Sequence, residues 1–243
     1  MIRQKRVIAI ALAALMLTAA LAACSPGNAP DVTTPATNTP DTPDAAASET
    51  DPVTEPPICG EETTTQPTEV KTLKILAIGN SFSTDCMQYL YDIARSGGVE
   101  EIVLGNLYYG GCSLAQHLGF AKSDSPSYTY YKNTSGKWES TKSYKMSAAI
   151  ADEKWDYISF QQTSKTCGLA STYGKTLTEL LDIVEAKAPD AKFIWNMTWA
   201  YQQDSTHSSF PNYDRSQQKM YDMIIDCMHQ CIETEPRFVL SIP

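Results

Sequence analysis

The chain has 243 residues and a formal net charge of −9, and that charge is unevenly placed. Residues 1–23 carry Arg3, Lys5 and Arg6 and no acid, residues 24–70 carry nine acids and no base, and residues 71–243 carry the other 19 acids and 16 bases. The long last part is only mildly acidic, which argues against nucleic acid as a partner, because neutralising phosphates takes a basic face.

The chain opens with the basic stretch MIRQKR and a 17-residue apolar run, Val7 to Ala23. Together residues 1–23 read as an export signal. The run ends in LAAC, Leu21 to Cys24, which resembles a lipobox. That resemblance implies lipid attachment at Cys24 and stable anchoring through two acyl chains. The competing reading is an uncleaved signal anchor, for which 17 residues is a short span. Residues 24–70 hold nine of the 14 prolines and eleven threonines, with almost no large apolar side chain. Such a stretch cannot offset its ordering entropy, so it reads as a disordered tether that holds a domain away from a membrane. The rest, 71–243, is long enough for one domain with a real core.

Within that domain apolar runs alternate with helix-period segments. Residues 73–79 (LKILAIG) predict a buried strand, and Met87 to Ala94 a helix with Met87, Leu90, Tyr91 and Ala94 on one face. A second strand is expected over 101–109, followed by an aromatic insert, SYTYYKNTSGKWES, with a hairpin turn at Asn133 to Gly136. A helical stretch near Ser147 to Glu153 leads to a third strand over 156–162. A helix over 174–189, stopped by Pro189, a strand over 192–199, a long helix over 214–233 and a strand from 237 complete the pattern. Continuous apolar strands separated by helices predict an α/β three-layer sandwich around a central parallel sheet. In such sheets ligands bind at the carboxyl ends of the strands. Those ends carry Gly79-Asn80-Ser81-Phe82-Ser83, Tyr109-Gly110-Gly111-Cys112-Ser113, Gln161-Gln162-Thr163-Ser164 and Thr198-Trp199-Ala200-Tyr201. They contain neither a phosphate loop nor a charge cluster, so no cofactor is expected.

Beyond Cys24, six cysteines remain: Cys59, Cys86, Cys112, Cys167, Cys227 and Cys231. Their spacing selects no disulfide pairing. Cys227-Met-His-Gln-Cys231 places two thiols near His229, but a metal needs about four ligands and nothing nearby completes the set. Buried apolar cysteines are the plainer reading, and no metal is expected.

The serine after the first strand admits two readings. Ser81, Ser83 or Thr84 could cap the following helix. Alternatively Ser81 is a nucleophile in the positive field of a helix N-terminus, where an alkoxide and a developing oxyanion are both favoured. Gly79 before it permits a sharp turn, close to the G-x-S-x-G elbow with Ser83 in the last glycine's place.

Taken in order, these blocks resemble the SGNH/GDSL hydrolase superfamily, and most closely a bacterial lipoprotein branch that shares GNSFS, GGCSL, WDYISFQQTS and MTWAYQQDSTH, from about Leu73 to Pro243. The resemblance implies a flavodoxin-like fold and Ser81 as nucleophile. Asn80 replaces the motif's usual acid. Gly111 is implied as an oxyanion donor through its N–H, and Gln162 as a second donor in place of the superfamily's asparagine. Asp204-Ser205-Thr206-His207 has the D-x-x-H spacing of the superfamily's acid and base, but it follows the fourth strand rather than the last. Relatives in the branch carry a further segment with a D-G-x-H-type motif, so the resemblance implies a C-terminally truncated domain lacking its catalytic acid and base. Asp204 and His207 would then line a substrate pocket. A displaced triad pair is the alternative. His117 could line the pocket, although a helix-surface histidine is the plainer reading, and mid-helix His229 is expected to be structural.

Two functions follow. The first is a lipid-anchored, extracytoplasmic serine ester hydrolase working through a Ser81 acyl-enzyme. Its expected partners are an ester substrate, favoured as an acetylated glycan, and the membrane that holds the anchor. Tyr128, Tyr130, Tyr131, Trp138 and Trp199 could face sugar rings. The second is a non-catalytic glycan-binding lipoprotein with a decayed hydrolase pocket. The sequence carries no sign of an oligomeric state.

Overall fold

The computed structural model describes residues 71–243. The expected signal, the Cys24 lipid site, the tether and Cys59 lie outside the described residues. Seven strands form one sheet in the order β4-β3-β2-β1-β5-β6-β7. They are β1 (Thr72–Gly79), β2 (Glu101–Tyr108), β3 (Tyr128–Asn133), β4 (Trp138–Tyr144), β5 (Tyr157–Phe160), β6 (Lys192–Asn196) and β7 (Phe238–Ile242). Five of them, in the order β2-β1-β5-β6-β7, run parallel. Counted among themselves they have the 2-1-3-4-5 order of a flavodoxin-like sheet.

The aromatic insert corrects the expectation of a purely parallel sheet. It pairs antiparallel with β2 and turns at the expected Asn133–Gly136, where Asn133 Oδ1 accepts from the Ser135 and Gly136 N–H groups. Its outer strand β4 is the sheet's exposed edge.

Strand alternation divides the core. Leu73, Ile75 and Ala77 of β1 join one cluster with Ile102 and Leu104 of β2. Helices α1 (Ser81–Gln88) and α2 (Leu90–Ser96) cover this face through Met87 and Ala94. Leu76 and Ile78 point the other way, into a larger cluster with Phe160, Phe193, Trp195 and Phe238. There α3 (Leu114–Ser123), α4 (Met146–Ala151) and α5 (Gly174–Glu185) pack, and the turn after α6 (Gln217–Cys227) adds Met228 and Ile232. The two-sided cover follows from handedness. The crossover from β1 to β2 runs one way along the sheet and every later one runs the other way, so right-handed connections put their helices on opposite faces. The result is the three-layer α/β sandwich read from the sequence.

Several boundaries differ from the sequence reading: the helix expected to run to Pro189 ends at Glu185, the third strand is only Tyr157–Phe160, and the last helix starts at Gln217. The first helix starts at Ser81 rather than Met87, and it is broken at Tyr89, which adopts φ −107°, ψ 0°. Strand β6 ends at Asn196, three residues before Trp199.

Candidate active site

The corner between β1 and α1 settles which residue caps the helix. It is Asn80, whose Oδ1 accepts from the Phe82 N–H at 3.2 Å. Ser83, a candidate cap in the sequence, is buried instead. Its hydroxyl lies 2.6 Å from the Asn80 carbonyl oxygen and 2.9 Å from Asn106 Oδ1. Ser81 is the first residue of the helix, exposed, and its hydroxyl has no hydrogen-bond partner among the described residues. It is therefore free of capping duty and stands at the positive end of α1.

A buried amide network holds this corner. Gln161 Nε2 donates to Asn80 Oδ1 at 2.6 Å, and Asn196 Nδ2 donates to Gln161 Oε1 at 3.4 Å. Asn80 Nδ2 donates to the Cys112 carbonyl at 3.0 Å, tying the corner to the loop after β2. An aspartate at position 80 would keep the acceptor and lose this donor, which accounts locally for the amide in place of the motif's acid. Gly79 has no room for a side chain. A Cβ there would lie 2.5 Å from Gln161 Oε1 and 2.7 Å from Ser83 Cβ.

Gly111 lies on the loop beyond Asn80, with φ +64°, a left-handed conformation that favours glycine. Neither its N–H nor that of Ser81 is taken by an acceptor among the described residues. The Lys165 ammonium sits 3.8 Å from where a Gly111 Cβ would be, adding positive charge beside the loop.

Gln162 is placed differently from its expected donor role. Its Oε1 accepts from the N–H groups of Leu114 (3.0 Å) and Thr163 (2.9 Å), and its Nε2 donates to Thr172 Oγ1 at 3.1 Å. The amide is thus committed to bracing α3 and the loop after β5. Its neighbour Gln161, which the sequence reading passed over, is the one at the corner. The signal was available in the alternation of β5. Ile158 and Phe160 face the large cluster, so position 161 falls on the α1 side and 162 on the other.

None of the three histidines hydrogen-bonds Ser81. His117 is buried rather than on a helix surface. Its Nδ1 is 2.8 Å from the Tyr128 hydroxyl, its Nε2 has no partner, and burial pushes its pKa down to about 3. His229 pairs on the surface with Glu233, as a structural histidine would, and that hydrogen bond raises its pKa. His207 stacks on Tyr201 with ring centroids 4.6 Å apart, and its Nδ1 accepts from the Ser209 N–H at 3.1 Å. A neutral imidazole so bound carries its proton on Nε2, so the lone pair a base needs is already engaged. Asp204 is exposed and makes no hydrogen bond to His207. The structure does not bring these two together as a dyad.

The buried thiols are poor nucleophiles. Burial pushes Cys112 and Cys167 up to about 12. Cys86 is raised by burial and donates to Asn196 Oδ1 at 3.1 Å. Among the described residues no group of three His, Cys, Asp or Glu side chains is placed to hold a metal, the Cys227–His229–Cys231 stretch included.

A groove of about 500 Å³ opens beside Ser81. Thr84, Asp85 and Gln88 of α1 form one wall, and Tyr108 of β2 with Tyr131 and Trp138 of the hairpin form the other. The remaining aromatics sort elsewhere. Tyr128 and Tyr130 are core residues, and Trp199 is exposed, edge-on to Phe82 at 4.2 Å.

A family model described as domain of unknown function (DUF4886) matches residues 74–236. Among solved structures, a DUF4886 family protein from Bacteroides uniformis is 39% identical with a TM-score of 0.63, over 65% of this chain and 62% of that one. The chain thus spans less than two thirds of that protein's length. A protein from Slackia heliotrinireducens, provisionally described as an SGNH hydrolase, is 20% identical (TM-score 0.42, 65% and 73% covered). A family 3 carbohydrate esterase from Clostridium thermocellum is 10% identical (TM-score 0.40, 70% and 77% covered). No curated protein matches.

Proposed function

The chain belongs to the DUF4886 family, and we propose that this member is a serine ester hydrolase of the SGNH type. The observation that carries the reading is an exposed serine with no capping role, at the start of a helix, with its own N–H unclaimed among the described residues and its side chain on the lining of a groove. Ser81 follows β1, which borders the point where the order of the parallel strands reverses and where open α/β sheets bind ligands, and the groove runs from it over β2 and the hairpin.

In this reading Ser81 Oγ attacks the ester carbonyl. The carbonyl oxygen becomes an oxyanion facing the Ser81 and Gly111 N–H groups, with Lys165 adding to the field. The alkoxide of the alcohol leaves with a proton, and water then releases the acid from the acyl-serine. The base that takes the Ser81 proton is either His207, after rearrangement of its loop frees the ring, or a group outside residues 71–243. The substrate class is an acylated glycan, and the place of action is the extracytoplasmic face of a membrane, held through Cys24 and the 24–70 tether.

Turnover of p-nitrophenyl acetate by the Ser81→Ala variant tests the assignment. A loss of about a thousandfold or more is expected, with stability within about 0.5 kcal/mol of wild type because the hydroxyl is exposed. Unchanged turnover by a folded variant would sink it. The second reading, a glycan binder without catalysis, is favoured by one observation: no histidine hydrogen-bonds Ser81. It predicts saccharide binding with no Ser81-dependent turnover in any form of the protein.

A further inference from the structure

We propose, resting on the esterase reading, that the groove beside Ser81 holds the alcohol half of the ester and selects an uncharged sugar ring over a uronate. Strand parity builds it. In the hairpin Tyr128 and Tyr130 turn into the core, while Tyr131 lies directly across from Asn106 of β2 and shares that face with Tyr108 and Trp138. Tyr108 and Tyr131 meet edge-to-face with centroids 6.0 Å apart, leaving half-buried ring surface turned to the groove. The facing wall carries Thr84, Gln88 and Asp85 together with the buried Met87, and Asp85 is its only charge.

A sugar is the molecule that uses both walls. Its C–H faces pack on aromatic rings and its rim of hydroxyls matches neutral hydroxyl and amide groups. A fatty acyl chain would strip water from Thr84, Gln88 and Asp85 without replacing their hydrogen bonds. A quaternary ammonium would use the rings and Asp85 but leave the amides unmatched. The volume of about 500 Å³ lies within the range of small-molecule sites.

The charge of the sugar is set by Asp85. It is the groove's only charged residue, no lysine, arginine or histidine lines the groove, and it has no ion-pair partner among the described residues. A second carboxylate brought within a few ångströms of it should weaken productive binding by about tenfold.

The test compares full-length wild type with Trp138→Ala, Trp138→Phe and Asp85→Asn on p-nitrophenyl acetate, acetylated xylan and acetylated polygalacturonate. Trp138→Ala should lower the ratio of kcat/KM on acetylated xylan to that on p-nitrophenyl acetate by at least about tenfold, and Trp138→Phe should restore most of it. Asp85→Asn should raise the ratio of polygalacturonate to xylan about tenfold. Ratios that stay put in both variants overturn the proposal, as does a Trp138→Ala loss confined to long-chain p-nitrophenyl esters.

Binding separates this failure from failure of the esterase reading. Tryptophan fluorescence of the Ser81→Ala protein should change with xylotetraose, less with tetragalacturonate, and not in the Trp138→Phe background. If no ester is turned over but this pattern holds, the hydrolase reading falls and the groove stands. Equal responses to both saccharides, or a response only to tetramethylammonium, overturn the groove.

Discussion

Replacing Gly79 by alanine should show how tightly the corner under Ser81 is built. The new Cβ would lie 2.5 Å from Gln161 Oε1 and 2.7 Å from both Cβ and Oγ of Ser83. These atoms are side-chain atoms, but they are not free to swing. Gln161 is held by Asn80 and Asn196, and Ser83 by the Asn80 carbonyl and Asn106. If Gln161 yields, buried amide groups lose their partners, at about 1–3 kcal/mol. If α1 yields instead, overpacking costs about the same. The smaller entropy of an unfolded alanine chain returns about 0.4–1 kcal/mol. A net loss of about 0.5–2.5 kcal/mol follows, or about 1–10 °C in Tm for a domain of this size. Gly119 in α3 is the control. Nothing lies within 4 Å of its Cβ position, so Gly119→Ala should stabilise the helix by about 0.5–1 kcal/mol. Urea unfolding of both variants measures the difference. Turnover of p-nitrophenyl acetate should also fall about tenfold or more in Gly79→Ala, because the serine moves with the corner. A Gly79→Ala protein as stable as wild type would refute the reasoning that the corner is rigid.

Gln162→Ala removes the acceptor of two buried N–H groups and should cost about 2–4 kcal/mol in urea unfolding. Gln162→Glu, which keeps that acceptor, should recover part of the loss, and an alanine variant of wild-type stability would show that the brace does not matter. The pH dependence of stability should carry the mark of His117. Its folded pKa, about 3, lies below the ordinary 6.5, so the unfolded chain takes up the proton first. The stability tied to neutral His117 is fully present above pH 6.5 and is lost as pH falls toward 3, at up to about 1.4 kcal/mol per pH unit. His117→Gln should flatten that slope relative to wild type between pH 7 and 5, and parallel slopes would contradict it.

Much of this was legible in the sequence because it rests on periodicity. The buried runs at 73–79 and 101–109 became β1 and β2 within a residue or two, and NTSG gave the hairpin turn. Ser81 could be located because a strand, a glycine and a helix fix a corner whatever the rest of the chain does. What sequence could not show was how side chains divide the work there. The sequence reading offers Ser81, Ser83 or Thr84 as the cap and passes over Asn80, because only the depth of Ser83 and the reach of Asn80 in the folded corner decide among them. Gln161 and Gln162 are chemically identical, so strand parity alone separates them. His117 could not be seen as buried, because its hydroxyl partner Tyr128 comes from a hairpin whose pairing is set by tertiary contact. The D-x-x-H spacing matched a motif, but its loop engages the histidine ring locally instead of turning it toward an acid.

The amide network beneath Ser81 also bears on how the protein folds. Asn80 and Gln161 are 81 residues apart, Asn80 and Cys112 are 32 apart, and Gln161 and Asn196 are 35 apart. No local segment can form this corner, because its parts meet only after loops of that length have closed and β5 has docked beside β1. Such non-local contacts form slowly in parallel sheets. During refolding, helix signal should therefore return ahead of the assembled corner, and during synthesis the corner waits until β6 has been made. On the proposed esterase reading, competence would be a late folding event, and an unfinished chain would carry Ser81 without the frame that holds it.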